Sequence, residues 1–447
     1  SMLCHYCALR YDIMLEFKHC IKRHCGLCTY EFQADETVVA CILDGSQVQD
    51  ASYQPCGWSC SHSDGLATAF HKQCYSTGGT LSPKVWAVTC CDFEPTSDTT
   101  LVNANFVLDN IVRVSDRLLL RRLPPELRRM VGDYLVTAWC IASTCALQVT
   151  EQRSIEVCLA SPIWACFVKT HTKSYIASLS NGKTKNSQKN CELLIYEPAS
   201  EKDIDTVYVA RDSWGIKRVV FACSRDEFIF PEQAGIWWQI LRISKNTGRL
   251  VVQSDGFKLR TLKYFDGNRE VDTSGTLWSR PPYPLRMFQA YKRENAYPPT
   301  KMTSVVLNGQ HTTGYSVCWN SRAMSFHVHK TDGRFSLCEF PESRKPSGRW
   351  LYMPITRNEW LSEIWLRSDP FRRSTLVLVT NTKRALVMGE HSRRGRRFSY
   401  ELIARLSNEP SLFYLDMGDG LREVALSVPL SQKATRTELY LPKPASA

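Results

Sequence analysis

Two short pairs in the first 74 residues carry the clearest chemistry in the sequence. Cys25-Gly26-Leu27-Cys28 places two thiols around a two-residue gap that contains glycine, and His71-Lys72-Gln73-Cys74 repeats the gap with an imidazole and a thiol. A tight turn lets both ends of such a pair aim at one cation. Together the pairs supply three sulfurs and a ring nitrogen, a tetrahedral set for zinc in which the protein fills every position. A filled coordination shell leaves no place for an activated water, so the expected role is structural. Cys4-His5-Tyr6-Cys7 has the same spacing and predicts a second site. Its partners are drawn from Cys56, Cys60 and His62, with Cys4, Cys7, Cys56 and Cys60 as the leading set. His19, Cys20, His24, Cys41, Cys90 and Cys91 have no assignment.

The distribution of cysteine supports metal over disulfides. Of 19 cysteines, 11 lie at or before Cys91, and five of the ten histidines precede residue 72. A secreted disulfide scaffold has no reason to concentrate histidine with cysteine, whereas a metal module in a reducing compartment does. The later cysteines sit among apolar residues, as at Ala222-Cys223 and Val317-Cys318, and read as small buried hydrophobes. The opening Ser1-Met2-Leu3-Cys4-His5 has no charged-then-apolar signal. No apolar run reaches the ~18–20 residues of a membrane helix. The expectation is an intracellular, most simply cytoplasmic, protein with no membrane partner.

Beyond the metal ligands the sequence offers binding chemistry rather than a catalytic signature. There is no phosphate loop, dinucleotide fingerprint, nucleophile elbow or paired-histidine zinc motif. Asp212-Ser213-Trp214 and Glu363-Ile364-Trp365 each set a carboxylate two residues from an indole. Such a pair can hold a guanidinium, with the carboxylate in bidentate contact and the ring stacked on its face. Arg393, Arg394, Arg396 and Arg397, followed by Phe398 and Tyr400, form a basic cluster that could line a groove for a polyanion. A net charge of +12 is compatible with that partner.

The elements that must position these groups fall into blocks. Residues 1–95 are the metal module, 96–150 a helical segment, 151–431 a β-rich domain and 432–447 a tail. In the second block, Leu123-Pro124-Pro125-Glu126-Leu127 starts a helix: proline suits the first turn and glutamate favours the positive end of the dipole. Leu127, Met130, Val131, Tyr134 and Leu135 then recur at helical spacing. From about residue 155 the period shortens to that of strands, separated by turns such as Asn246-Thr247-Gly248, Asp266-Gly267 and Asp332-Gly333. The predicted class is α+β: a small zinc-binding N-terminal module, a short helical segment and a large mostly-β domain, propeller-like or otherwise closed. Gly215–Phe221 and Gly314–Trp319 share a faint likeness that falls short of a repeat.

Three resemblances follow from these residues. The Cys/His head is similar to treble-clef, RING and LIM modules. The stretch Leu123 to Leu135 resembles the opening helix of an F-box, although Val136 to Cys145 lacks the second Leu-rich helix with its Arg and Trp. An F-box implies docking to the adaptor subunit of a cullin-type ubiquitin ligase through an apolar helical face. Taken together, the head, this helix and the segments Asp212 to Val219 and Ser362 to Arg367 resemble a group of uncharacterised fungal proteins that we associate with the arginine-containing cyclodipeptide synthases. That resemblance implies an aminoacyltransferase that binds aminoacyl-tRNA through a basic surface, with salt-sensitive affinity. It would select the arginyl group in a carboxylate–aromatic pocket and set an α-amine against an already activated ester. From sequence, the tRNA-dependent synthase is the leading expectation, because the F-box match is half missing and the charge is high. A ubiquitin-ligase substrate receptor and a zinc-stabilised protein- or sugar-binding scaffold are the alternatives. The receptor reading predicts an exposed apolar face on this helix and no turnover, so burial of Leu127, Met130, Val131 and Leu135 against their own chain removes it.

Overall fold

The computed structural model describes residues 20–28, 30–41, 48–55, 66–77, 105, 107–114, 123–146, 155–170, 173–183, 192–198, 204–223, 235–243, 248–255, 258–271, 276–282, 287–292, 300–320, 323–331, 349–369, 374–388, 398–416, 421–428 and 435–436. Most of them are in β-strands. Two compact units divide the chain, Ser1–Asp226 with Gln233–Ser274, and Glu227–Glu232 with Gly275–Ala447. The boundary falls inside the expected single β domain of 151–431, and the metal module belongs to the first unit.

The head begins with β1 (Cys20–Cys25), β2 (Thr37–Cys41), β3 (Val48–Ser52) and β4 (Leu66–His71), followed by helix α1 (Lys72–Thr77). Their order is β1-β4-β2-β3. β2 pairs antiparallel with β3 and with β4, and β1 lies parallel to β4. The parallel pairing brings the C-terminal ends of β1 and β4 side by side. Cys25 ends β1 and His71 ends β4, so the sheet delivers both ligand pairs to one place. Val38, Ala40, Ala69 and Phe70 are buried within it. Residues 107–114 and the long helix α2 (Pro125–Ala146) close the same core through Val107, Leu108, Ile111 and Val136. The amide of Arg128 donates to the carbonyl of Pro124 at 3.1 Å, the first bond of α2, with Pro125 at the first helical position as its sequence suggests. A Cβ on Gly132 would stand 2.6 Å from Leu108 Cδ1, so glycine lets α2 approach the 107–114 segment closely.

The remainder of the first unit is three runs of strands. β6 (Ile163–Thr170) lies between β7 (Lys173–Ser180) and β8 (Glu192–Tyr196). β9 (Thr206–Asp212) lies between β10 (Gly215–Ala222) and β11 (Trp237–Arg242). The third run has the order β14-β13-β12-β5, from β14 (Arg269–Glu270), β13 (Leu259–Asp266), β12 (Arg249–Ser254) and β5 (Ile155–Cys158). One apolar core takes side chains from all three, among them Val157, Ile163, Ile176, Val207, Ile216, Leu250 and Leu262.

The second unit repeats this plan. β18 (Thr312–Asn320) lies between β19 (Ala323–Lys330) and β20 (Arg349–Pro354). β21 (Leu361–Ser368) lies between β22 (Ser374–Thr380), which β23 (Ala385–Met388) extends, and β24 (Ser399–Arg405), which β27 (Thr435–Arg436) extends. The third run has the order β15-β17-β25-β26-β16, from β15 (Thr276–Trp278), β16 (Phe288–Lys292), β17 (Thr300–Leu307), β25 (Ser411–Asp416) and β26 (Glu423–Leu426). Its core again draws on all three runs, through Leu307, Val317, Phe326, Ile364, Leu378, Phe413 and Val424. In both units an early strand returns beside the hairpin that ends the unit: β5 pairs β12, and β17 pairs β25.

Among the described residues none of these runs closes into a barrel. The expected mostly-β body is present, and its strands fall into two units of three runs each. The likeness between Gly215–Phe221 and Gly314–Trp319 does not mark the repeat. Gly215 opens a flanking strand, whereas Gly314 lies in a central one. The shared features are instead at strand ends. Asn181, after β7, accepts from the Cys158 amide at 2.7 Å and donates to its carbonyl at 2.8 Å. Asn308, after β17, does the same to Leu361, at 2.9 Å for both bonds.

Candidate metal centre

Cys25, Cys28, His71 and Cys74 are all buried, and their ligand atoms lie within 4.8 Å of one another. After β1 the chain turns through Gly26 and Leu27 and comes back antiparallel, with the Cys25 amide bonded to the Tyr30 carbonyl at 2.8 Å and an isolated bridge between His24 and Glu31. This return directs Cys25 and Cys28 to one side. His71 is the last residue of β4 and Cys74 lies in the first turn of α1, so the strand-to-helix junction presents the second pair. The turn presents two of the four side chains and the strand-to-helix junction the other two. The cluster can hold one metal ion.

Gly26 serves this site by its size. Its φ lies outside the left-handed region, and a Cβ there would sit 2.6 Å from a Phe70 ring carbon and 2.9 Å from a Thr68 methyl. Phe70 is fully buried, so little room can be made.

The electrostatics suit a cation. Burial pushes the thiols up, yet Cys25 falls well below the ordinary thiol range because Cys28, Cys74 and His71 bond to its sulfur. Cys28 is held well above that range, first by burial and then by its bonds to Cys25 and Cys74. Buried thiolates this close together repel one another, and a divalent ion held among them would relieve that repulsion. His71 Nδ1 stands 3.3 Å from the Cys28 sulfur and 4.0 Å from that of Cys74. Its Nε2 faces Glu36 Oε1 at 3.6 Å. Burial lowers the His71 pKa, but Cys25 and Glu36 outweigh it and the net direction is upward. The Glu36 carboxylate thus lies behind this nitrogen beyond hydrogen-bond reach, on the side from which a carboxylate supports a ligating histidine. The Phe32 ring packs edge-on against His71 at 4.8 Å. The sequence reading missed Glu36 and Phe32, since nothing in their spacing ties them to the ligands.

The other site residues separate into two groups. Cys4, Cys7, Cys56 and Cys60, proposed for a second metal, lie outside the described residues, as do Arg393, Arg394, Arg396 and Arg397 of the basic cluster. The two carboxylate–indole pairs are described, and both are engaged from within the chain. Asp212 Oδ1 accepts from the amides of Trp214 and Gly215 at 2.9 and 3.2 Å, capping the two-residue turn between β9 and β10. Its Oδ2 accepts from Tyr175 Oη at 2.9 Å and faces Lys173 Nζ at 3.5 Å. Trp214 is buried and carries the Lys173 ammonium 4.5 Å above its ring. In the second pair Trp365 is a core residue, and its indole N–H donates edge-on to Glu363 Oε2 at 2.9 Å. Lys383 Nζ is 3.7 Å from the other Glu363 oxygen. Phe398 stacks on Arg367 at 4.6 Å, and Tyr400 is buried.

Helix α2 presents a different surface. Leu127, Met130, Tyr134 and Leu135 are 45, 56, 87 and 42% exposed, and Val131 beside them is half-buried. The inner face, Gly132 and Val136, is buried on the head. The helix is thus apolar on both sides.

No family model and no curated protein matches the chain. Among solved structures, a prostate-specific WGA16 glycoprotein lectin aligns with 31% of this chain and 94% of its own length, at 14% identity and a TM-score of 0.20. At that score nothing about this chain follows from the likeness.

Proposed function

We propose that the protein is a binding module whose head is held by one structural zinc ion and whose helix α2 docks the adaptor subunit of a cullin-type ubiquitin ligase. The β units are then free to recognise the protein to be modified. The observation that carries this reading is the outer face of α2. Leu127, Met130, Val131 and Tyr134 follow one another at i, i+3, i+4 and i+7, the pattern by which an amphipathic helix enters a partner's groove. Large apolar side chains grouped on one exposed face mark interaction surfaces more often than chance exposure does. They occupy the segment that resembles the opening of an F-box, and the sequence had made their burial the test that removes this reading.

Zinc is the ion we assign, because three thiolates and one imidazole in a closed tetrahedral set suit it above the hard cations. With no open position, the ion holds the head on which α2 packs and does no chemistry. The competing synthase reading needs a pocket that selects an arginyl group, and both carboxylate–indole pairs that motivated it are engaged by groups of the chain itself.

The test is direct binding of the purified full chain to the purified adaptor subunit by calorimetry. A stoichiometric complex is expected. Met130→Asp and Tyr134→Asp should each weaken it at least tenfold with unchanged zinc content and circular dichroism. No heat of binding at tens of micromolar adaptor would reject the proposal. Incubation with aminoacyl-tRNAs, with mass spectrometry for arginine-containing cyclic dipeptides, checks the alternative, and a product abolished by RNase would restore it.

A further inference from the structure

The metal knuckle and the three-run β unit are joined by one buried arginine. Arg260 lies on β13, 4% exposed, 234 positions from the knuckle it reaches. Its Nη2 donates to the Gly26 carbonyl at 2.6 Å, inside the Cys25–Cys28 turn. Its Nη1 donates to the Trp214 carbonyl at 2.5 Å, with the Ser213 carbonyl at 3.5 Å, at the tip of the β9–β10 hairpin. Asp255 Oδ2 stands 2.8 Å from its Nε and 3.0 Å from Lys258 Nζ. Burial alone would raise the Asp255 carboxyl, but Lys258 and Arg260 bring it below its usual range, so the buried guanidinium has a charged counterpart.

We propose that Arg260 is a positioning residue for the metal, which makes metal binding at Cys25, Cys28, His71 and Cys74 and the folding of the first β unit one cooperative event. The geometry gives the reason. A guanidinium is a planar fork with fixed directions, so its hold on the Trp214 carbonyl fixes where it can hold that of Gly26. Gly26 cannot retreat, because its amide is bonded to the Ala69 carbonyl at 2.9 Å and its α-carbon faces Phe70 and Thr68. The position of the Cys25–Cys28 turn, and with it two of the four ligands, is set by β13 and the β9–β10 hairpin as much as by the head. Thermodynamic linkage makes the effect mutual: if the β unit organises the site, a bound ion stabilises the β unit by the same free energy. The inference does not depend on what α2 docks.

Two measurements on the full chain test it. The first is zinc affinity by competition with a chromophoric chelator. Arg260→Met should weaken binding about 10- to 100-fold, the usual effect of removing a group that orients a metal ligand. Arg260→Lys should recover part of this, since one ammonium can reach only one of the carbonyls well. A core variant in the second unit, Val424→Ala, should lower that unit's stability and leave affinity unchanged, which separates positioning from general loosening. The second is hydrogen exchange on the wild-type chain before and after zinc removal, which needs no variant to fold. Amides of β13 and of the β9–β10 hairpin should exchange faster in the stripped protein, together with those of residues 20–77. Wild-type affinity in folded Arg260→Met, or a change confined to the head when zinc is removed, would overturn the proposal.

Discussion

Lys173 Nζ sits 4.5 Å above the Trp214 ring and 3.5 Å from Asp212 Oδ2, so a cation is held between a carboxylate and an aromatic face inside the chain. Burial, joined by the Lys217 charge, lowers the Lys173 pKa more than Asp212 raises it, so the lysine gains little from being charged there. Asp212 is the member that organises the group, since the turn amides, Tyr175 and Lys173 all converge on it.

The two partners should therefore differ when removed. Lys173→Met is expected to cost about 1 kcal/mol, because Asp212 keeps its three hydrogen bonds. Asp212→Ala is expected to cost about 3 kcal/mol or more, because it leaves a part-buried ammonium, a buried phenol and two turn amides without their acceptor. Hydrogen exchange of the β9–β10 amides in each variant reads the difference. Equal costs would mean that Asp212 matters only as the lysine's counter-ion.

This site shows where the sequence was legible and where it was not. Asp212-Ser213-Trp214 suggests a pocket for a guanidinium from its residue types, and the structure sets the chain's own Lys173 against both groups. It cannot say which cation, because Lys173 arrives from a neighbouring hairpin and its approach depends on strand pairing across 39 positions. The cluster of Cys25, Cys28, His71 and Cys74 was readable because each pair is local and only the meeting of two pairs is long-range. The Pro125 helix start was readable for the same reason. Arg260 was not, since nothing near β13 points to residue 26. The repeated three-run plan was hidden because it lies in strand order and core contacts, while the one visible likeness joined a flanking strand to a central one.

Gly26→Ala separates conformation from room at the knuckle. Its φ lies outside the left-handed region, so alanine meets no backbone strain and by chain entropy alone would stabilise by about 0.4–1 kcal/mol. The added methyl instead meets the buried Phe70 ring and the Thr68 methyl at sub-contact distance. Overpacking of this kind costs about 1–3 kcal/mol. Displacement of the turn should also weaken metal binding at the Cys25, Cys28, His71 and Cys74 cluster. Metal content after dialysis against a weak chelator checks this: retention equal to wild type would mean that the head absorbs the methyl without moving its ligands.

Glu359 gives the second unit its expected acid sensitivity. The carboxylate accepts from Arg384 through Nε at 2.8 Å and through Nη2, from Thr382 Oγ1 at 2.6 Å, and from the amide and hydroxyl of Thr356 at 3.3 and 3.2 Å. It ties the loop before β21 to the turn between β22 and β23, and its side chain is buried. The Arg384 guanidinium, outweighing burial, holds its pKa far below the usual carboxylate range. In the unfolded chain a glutamate titrates near 4.3. A depressed folded value means that its stabilisation is fully present above that pH and is lost as the pH falls below it toward the folded value. Glu359→Gln keeps the shape and removes the charge, so it should destabilise the unit by about 2–3 kcal/mol at neutral pH and much less in acid. Exchange rates of the β22 and β23 amides at pH 6 and pH 3.5, referenced to unstructured-peptide rates, give the comparison. The gap between wild type and variant should narrow on acidification as protonation takes from the wild type what the substitution has already removed. A gap of constant size would assign the acid sensitivity to other carboxylates, and Asp416, buried beside Arg422 at 3.6 Å in the same unit, would be the next to replace.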